Sequence, residues 1–400
     1  MKLYAFELGR KKELCFAELL AVIGENNLVE KNIDTAIFKL DEKQEKNIQI
    51  LQNSLGGTIK IVEIFKTIKR ENISKAAQET QIKDSVKEYL DENFKDRTGK
   101  INFSLTILNQ KFPDKILIKN LLISSKKILK ELGLNSRFVN QNFGNTKPST
   151  IYKARVIEKG VDINIIYCDK NIHIGNTVAI QDIDRYSLRD FDRPKRDALV
   201  GMLPPKLAQI MINLAVPEGK NKTTIYDPFC GTGVIPMEGL LMGYDVIGSD
   251  IDERMVEYTT ENLNWLVKNL ETNETPSFRV FKHDARHISK SELPEEITAI
   301  VTEGYLGPAL TKFPTEEEQE KIFRELSNLH LNWLKQVHAL TKKDLRVVMC
   351  LTGFKKSGSI IHFPRFKELV NLAGYKIENT YSYDREDQIV VRDIVILTKI

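Results

Sequence analysis

Apolar residues fall at helical spacing over residues 13–23, where Leu14, Phe16, Leu19, Leu20, Val22 and Ile23 mark an amphipathic helix. Strand-like runs flank it at 1–8 and 35–40. A second helix is expected over 42–55, closed by Gly56-Gly57, because glycine commonly follows a helix end. The pattern then predicts a strand at 59–68, a charged helix at 73–90 and a strand at 101–108. Residues 116–132 form a strong amphipathic pattern with Gly133 just past its end, and short strands follow at 137–139, 154–156 and 161–167. From residue 223 the alternation becomes regular, with strands expected at 224–227, 245–250, 277–282, 299–302, 346–351, 375–383 and 390–398. Helices are expected between the first five. The last pair lacks room for one and reads as an antiparallel hairpin at a sheet edge. The first half is therefore expected to be a compact α+β module, and the second a doubly wound, seven-stranded α/β sheet with its ligand at the carboxyl ends of the strands.

Between the halves, residues 182–196 are polar and charged, with Arg185, Arg189, Arg193, Lys195 and Arg196, and read as a junction. A helix is expected from 201 to 215, where Pro204 and Pro205 suit a helix start. Length adds that 400 residues are ample for two or three domains. Charge adds an asymmetry hidden in the net +4: residues 1–200 hold 35 Lys/Arg against 27 Asp/Glu, whereas 201–400 hold 24 against 28. Residues 101–160 alone carry 11 basic side chains against 3 acidic ones, among them Lys111, Lys115, Lys119, Lys126, Lys127, Lys130 and Arg137. A basic module joined to an acidic half suggests a polyanion held by one and modified by the other, although helical lysines also simply solvate a face. No apolar run approaches the roughly 18 to 20 residues of a spanning helix, so no membrane partner is expected. Lys2, Glu7 and Arg10 interrupt any signal sequence, and Cys15, Cys168, Cys230 and Cys350 are too scattered for a CxxC metal pair or a disulfide framework. A reducing, cytoplasmic setting without a bound metal is expected.

The chemistry concentrates in Asp227-Pro228-Phe229-Cys230-Gly231-Thr232-Gly233, which follows an apolar strand and precedes the helical pattern Val234, Ile235, Met237, Leu240, Leu241. Glycines there let backbone approach a ligand, and the helix start offers free N–H donors. A carboxylate at the strand end would repel pyrophosphate but suits a cationic or zwitterionic ligand such as S-adenosylmethionine. Seventeen residues beyond Gly233, the next strand ends in Asp250, placed to accept from ribose hydroxyls. A dinucleotide fingerprint is excluded by Pro236 at its third small position, and a P-loop by the missing lysine. A plain tight turn between core strand and helix is the competing reading.

Over nearly its whole length the chain resembles the THUMP-domain tRNA guanosine-10 N2-methyltransferases of archaeal and eukaryotic type. The opening LYAFELGRKKELCFAELLAVIG, the stretch RYSLRDFDRPKRDALVGMLPPKLAQIMINLA, the motif DPFCGTG and the closing QIVVRDIVILTKI carry the resemblance. It implies an N-terminal ferredoxin-like segment (1–45), a THUMP-like RNA-binding domain (46–181), a linker (182–200) and a Rossmann-like class I methyltransferase domain (201–400). By the same resemblance Asp227, Phe229, Gly231 and Gly233 would surround the methionine part of S-adenosylmethionine, Asp250 would bind its ribose and Asp284 would accept from the adenine amine. The lysines named above would hold tRNA, and a small activating protein is a candidate partner. Taken without the resemblance, Asp284 equally suits a helix N-cap.

One segment departs from the family. The catalytic signature Asp/Asn-Pro-Pro-aromatic is replaced by Glu303-Gly304-Tyr305. The family's side-chain oxygen and first proline carbonyl accept from the target amine and orient its lone pair. Glu303 can still accept and Tyr305 can still stack on an extruded base. Gly304 frees the backbone, leaving three outcomes open: the same chemistry in altered geometry, another substrate, or lost catalysis. The expected activity is methylation of a guanine exocyclic amine in tRNA. The alternatives are a non-catalytic tRNA binder and a DNA amino-methyltransferase. Cys350 lies in an apolar strand and reads as structural, His283 and His287 as loop histidines, and Glu316-Glu317-Glu318 as the start of a solvated helix.

Overall fold

Eight strands of the first half join one mixed sheet: β1 (Lys2–Leu8), β2 (Leu28–Lys31), β3 (Thr35–Leu40), β4 (Thr58–Lys69), β5 (Lys100–Leu108), β6 (Asn135–Phe138), β7 (Gly160–Tyr167) and β8 (Asn171–Ile180). Their order is β2-β3-β1-β4-β8-β7-β5-β6. The β5–β6 and β5–β7 pairs are parallel, and the others antiparallel. The computed structural model describes residues 2–197, 203–216, 223–269, 276–288, 293, 297–341, 345–385 and 388–400. These group into two units, Met1–Arg185 and Tyr186–Ile400.

In the first unit, the helix Lys115–Glu131 is N-capped by Asp114, whose carboxylate accepts from the Ile116 and Leu117 N–H groups at 3.0 Å. Leu117, Ile118, Leu121, Leu122 and Leu129 turn inward onto Ile101, Phe103, Ile163 and Ile174 of the sheet. Polar residues are also fully buried. The Lys60 ammonium donates to Asp162 at 2.9 Å and to Asn164 at 2.6 Å, while Ser104 and Thr177 complete the Asp162 carboxylate. Glu18 accepts from the Gly56 and Gly57 N–H groups at 2.9 and 2.8 Å, tying the first helix to the entry of β4.

Several sequence expectations change here. The single helix over 42–55 is two, Glu42–Lys46 and Ile48–Ser54, because the Asn47 amide turns back to the Lys43 carbonyl at 2.9 Å. The expected strand at 154–156 is instead a turn between the helices Pro148–Lys153 and Val156–Lys159, with Arg155 in a left-handed conformation at φ 51°. Strands β2 and β8 were not expected. In β8, His173, Asn176 and Thr177 disrupt the apolar alternation, and Thr177 is a buried member of the Asp162 network.

The second unit contains β9 (Thr224–Asp227), β10 (Asp245–Asp250), β11 (Phe278–Lys282), β12 (Ala299–Thr302), β13 (Arg346–Lys356), β14 (Ser359–Ile361), β15 (Tyr375–Tyr383) and β16 (Val390–Lys399). Seven run in the order β11-β10-β9-β12-β13-β16-β15, with β14 added to β13. The first five are parallel, while β16 enters antiparallel between β13 and β15, as the expected hairpin. Strand order reverses at β9, which creates a crevice beyond its carboxyl end. Between β11 and β12 the described residues contain a 3-10 turn, Ala285–His287, while 289–292 and 294–296, on which the expected helix falls, lie outside the described residues. The helix expected from 201 begins at Pro205; residues 201 and 202 lie outside the described residues. The polar junction is partly interior: Arg189 is buried and pairs with buried Glu238 at 2.7 Å.

Substituting Lys60→Met leaves Asp162 buried without its cation, and removing one partner of such a pair costs about 3–5 kcal/mol. Urea denaturation of the variant should show that loss, with far-ultraviolet circular dichroism confirming a folded start.

Candidate active site

The turn after β9 is pressed against β10. The Cys230 N–H donates to the Ser249 carbonyl at 2.9 Å, and a Cβ on Gly248 would lie 3.1 Å from Cys230. Gly233 opens the helix Val234–Leu241 at φ 84°, and Thr259 sits where its Cβ would go, so both conformation and space call for glycine. The Thr259 hydroxyl donates to the Gly231 carbonyl at 2.7 Å and fixes the loop from behind. Among the described residues, no atom beyond its chain neighbours lies within 4 Å of a Cβ built on Gly231. Parallel pairing places Asp227 opposite Gly248, so Asp227 and Asp250 end neighbouring strands beside the same crevice.

A cavity of about 920 Å³ opens there, lined by Asp227, Phe229, Gly231, Asp250, Asp284 and the 303–311 segment, among others. The structure thus brings together the expected cofactor and catalytic residues, except that Gly233 stands behind the wall as the helix cap. Phe229 meets the Trp333 ring edge-on at 5.8 Å. Its neighbour His330 is fully buried, accepts from the Trp333 indole at 3.2 Å and has its pKa lowered by burial to about 4.

The four acids differ in how their charge is met. Asp284 is gripped by Arg286, with contacts of 2.6–3.1 Å, and also caps the 3-10 turn, so its pKa falls well below the carboxylate range. Glu303, with 19 % side-chain exposure, accepts from Arg392 of β16. Burial raises the Glu303 pKa and Arg392 opposes the rise. Asp227 accepts from the Phe229 N–H at 3.1 Å, and Asp250 from the Gly231 and Asp252 N–H groups at 3.0 Å each. Neither has a cationic partner among the described residues. Burial, with Asp250 and Glu303 nearby, pushes Asp227 up to about 7, and burial also raises Asp250. A site with one buried and one half-buried carboxylate, neither met by a cation among the described residues, favours a positively charged guest.

The 303–305 segment follows its own path. Gly304 lies at φ 71°, which proline cannot adopt, so the family's proline turn is excluded at this position. The Gly304 N–H donates to the Thr302 hydroxyl oxygen at 3.0 Å, and Thr302 also bonds Asp227, linking the two ends of the site. Tyr305 is 49 % exposed at the cavity. Sequence reading missed Arg392. Its signal was an Arg-Asp pair interrupting an apolar strand, where charge survives only with partners. Cys350 is fully buried, with its thiol pKa pushed up by burial.

In the first unit, Lys111, Lys115, Lys119, Lys126, Lys127 and Lys130 all lie exposed along the helix Lys115–Glu131 and its leading loop, and Arg137 is exposed on β6. Phe112, Ile116 and Ile123 are exposed on the same stretch, with Lys111 over the Phe112 ring.

Residues 193–355 match the UPF0020 family model, described as an RMKL-like methyltransferase domain. More particularly, relatives named tRNA (guanine(10)-N2)-dimethyltransferase match from Methanocaldococcus jannaschii and Methanothermobacter thermautotrophicus. The first is 30 % identical over 263 residues, 62 % of this chain and 66 % of the relative. The second is 41 % identical over 133 residues, 33 % of this chain and 35 % of the relative. The chain thus spans between about a third and two thirds of these relatives' length. The crystal structure of TrmN from Thermus thermophilus aligns over 100 % of both chains with a TM-score of 0.54 at 14 % identity, so the fold is shared. The α/β architecture with a Rossmann-like methyltransferase sheet stands as expected.

Asp227 makes stability pH-dependent. Its folded pKa of about 7 lies above the ordinary 3.8, so the native state holds the proton more tightly, and stability should fall as pH rises across that window. Thermal melts of the ligand-free chain compared with Asp227→Asn should show a steeper slope in the wild type.

Proposed function

We propose that the chain is an S-adenosylmethionine-dependent tRNA methyltransferase acting on the exocyclic N2 amine of guanine. The observation that carries the reading is the pair of uncompensated carboxylates, Asp227 and Asp250, facing a cavity of about 920 Å³ beside a glycine-rich turn. S-adenosylmethionine supplies an electrophilic methyl on a sulfonium, whose S–CH3 bond breaks as the N–CH3 bond forms, the electron pair returning to sulfur. Asp227 meets the ammonium of its amino-acid head, the open face of Gly231 admits it closely, and Asp250 accepts from the ribose hydroxyls. Asp284, held by Arg286, faces the adenine amine.

On the acceptor side, Glu303 takes one N–H of the guanine amine and the Gly304 carbonyl the other, turning the nitrogen lone pair toward the methyl group. The extra proton on nitrogen after transfer leaves through Glu303 to solvent. Arg392 opposes the rise that burial imposes on the Glu303 pKa and so favours the carboxylate form as acceptor. Tyr305, half-exposed at the cavity, stacks on the extruded base. The first unit, with residues 46–181 as the THUMP-like part, holds tRNA through its basic helix face, and the exposed Phe112 adds an aromatic surface for a base.

Labelled S-adenosylmethionine and unmodified tRNA should yield N2-methylguanosine on nucleoside analysis. Glu303→Ala should lower kcat by about a hundredfold or more with cofactor affinity unchanged. Arg392→Met should raise the pH at which turnover reaches half its maximum, because Glu303 loses its cation. Tight binding of cofactor and tRNA with no product from the wild type would instead identify a non-catalytic binder.

Replacing Lys126, Lys127 and Lys130 together with Glu should weaken tRNA binding and flatten its log–log salt dependence by roughly two to three. Filter binding across a salt series checks this, and unchanged cofactor binding confirms that the second unit is intact.

A further inference from the structure

Away from the cavity, β2 and the turn joining β7 to β8 bring together a carboxylate, a thiol and an imidazole. Glu30, Cys168 and His173 each present one donor atom, and the three atoms lie within 4.8 Å of one another. Cys168 and His173 are 2 % exposed, whereas Glu30 reaches in from a partly exposed position. Cys168 and His173 are held from outside the cluster. The Cys168 N–H donates to the Asn171 carbonyl at 2.9 Å, closing the hairpin turn, and Arg70 donates to the Cys168 carbonyl. The Asn32 amide donates to the Cys168 sulfur at 3.2 Å. His173 Nδ1 bonds the Thr67 hydroxyl at 2.9 Å, which fixes the ring.

That last bond leaves Nε2 pointing into the cluster, where it has no hydrogen-bond partner despite its burial. The nearest Glu30 oxygen is 3.7 Å away, too far for a hydrogen bond but close to the separation of two ligands on one tetrahedral ion. An orphaned buried nitrogen is costly, and a cation between the three donors satisfies all of them. Nitrogen, sulfur and oxygen donors together match the borderline-soft divalent ions and not calcium or magnesium, which take oxygen.

We propose that Glu30, Cys168 and His173 bind a zinc-class divalent transition ion that cross-links the β2 strand to the β7–β8 hairpin. Three protein ligands leave the fourth position to water. The Cys168 thiol loses its proton to solvent on binding, and the Asn32 donor supports the resulting thiolate. The Thr67 contact is the outer partner that orients a metal-bound histidine. Scattered cysteines gave no sequence sign of this site, because its ligands come from strands far apart in sequence.

The full chain, stripped with chelator and titrated with Co(II), should take up one ion per chain. It should also show a thiolate-to-cobalt charge-transfer band in the near ultraviolet. Cys168→Ser should abolish that band, and His173→Asn should abolish binding. Glu30→Gln, at a partly exposed position that spares the fold, should weaken binding. Thr67→Val should weaken it by about ten- to a hundredfold. Zn(II) should displace cobalt and raise the melting temperature of the wild type alone. Absence of stoichiometric uptake, or uptake unchanged in Cys168→Ser and Glu30→Gln, would overturn the proposal and leave a thiol–carboxylate–imidazole hydrogen-bond cluster.

Discussion

The second unit is organised around a carboxylate that has no cationic partner among the described residues. Asp227 ends the strand at which the sheet reverses its order, and the turn that follows is pinned by main-chain bonds to β10 and by Thr259. A buried acid there raises the energy of the empty protein, seen in its pKa near 7. Other strained features follow from keeping that place open: glycine at 231 and 233, and a helix start with no side-chain cap. Charge left unmatched in the protein is matched by the guest, so the site's affinity and its instability have one source.

The contrast among the four acids sharpens this point. Asp284 and Glu303 each own an arginine, whereas Asp227 is met by the Phe229 N–H and the Thr302 hydroxyl, and Asp250 by N–H groups. Geometry therefore sorts residues of one chemical type into those held by an arginine and those met by uncharged donors alone. Arg392 also makes the Glu-Gly-Tyr segment intelligible. A glutamate one methylene longer than aspartate reaches a guanidinium on β16, and glycine permits the φ of 71° that the segment adopts.

Much of this was legible in the chain. Strands 224–227, 245–250, 299–302 and 375–383 coincide with the observed elements, because their apolar runs are short and bounded by turn residues or acids. Asp227, Gly231 and Asp250 line one cavity, while Gly233 caps the helix behind it. Illegible features share a physical reason. Strand β8 carries polar residues inward, and two of them are met from other strands, Thr177 by Asp162 and the His173 Nδ1 by Thr67. Arg392 is likewise meaningful only beside Glu303. Asn47 broke an expected helix through a local side-chain bond that competes with helical periodicity. Patterns of apolarity report burial, but they are silent about polar groups whose partners come from distant sequence.

The insertion of β16 between β13 and β15 also has a kinetic meaning. Glu303 and Arg392 are 89 positions apart, and their contact requires both edges of an antiparallel insertion to be in register. The parallel strands β9 and β10, with the glycine turn between them, close over a much shorter stretch of chain. Loop closure over longer separations is slower, so during folding the guest-binding half of the cavity takes shape before its acceptor half. A folding intermediate of this domain would then already be able to hold its small-molecule ligand while the carboxylate meant for the acceptor still lacked its arginine. Ligand present during folding would stabilise that intermediate and steer the last strand into place.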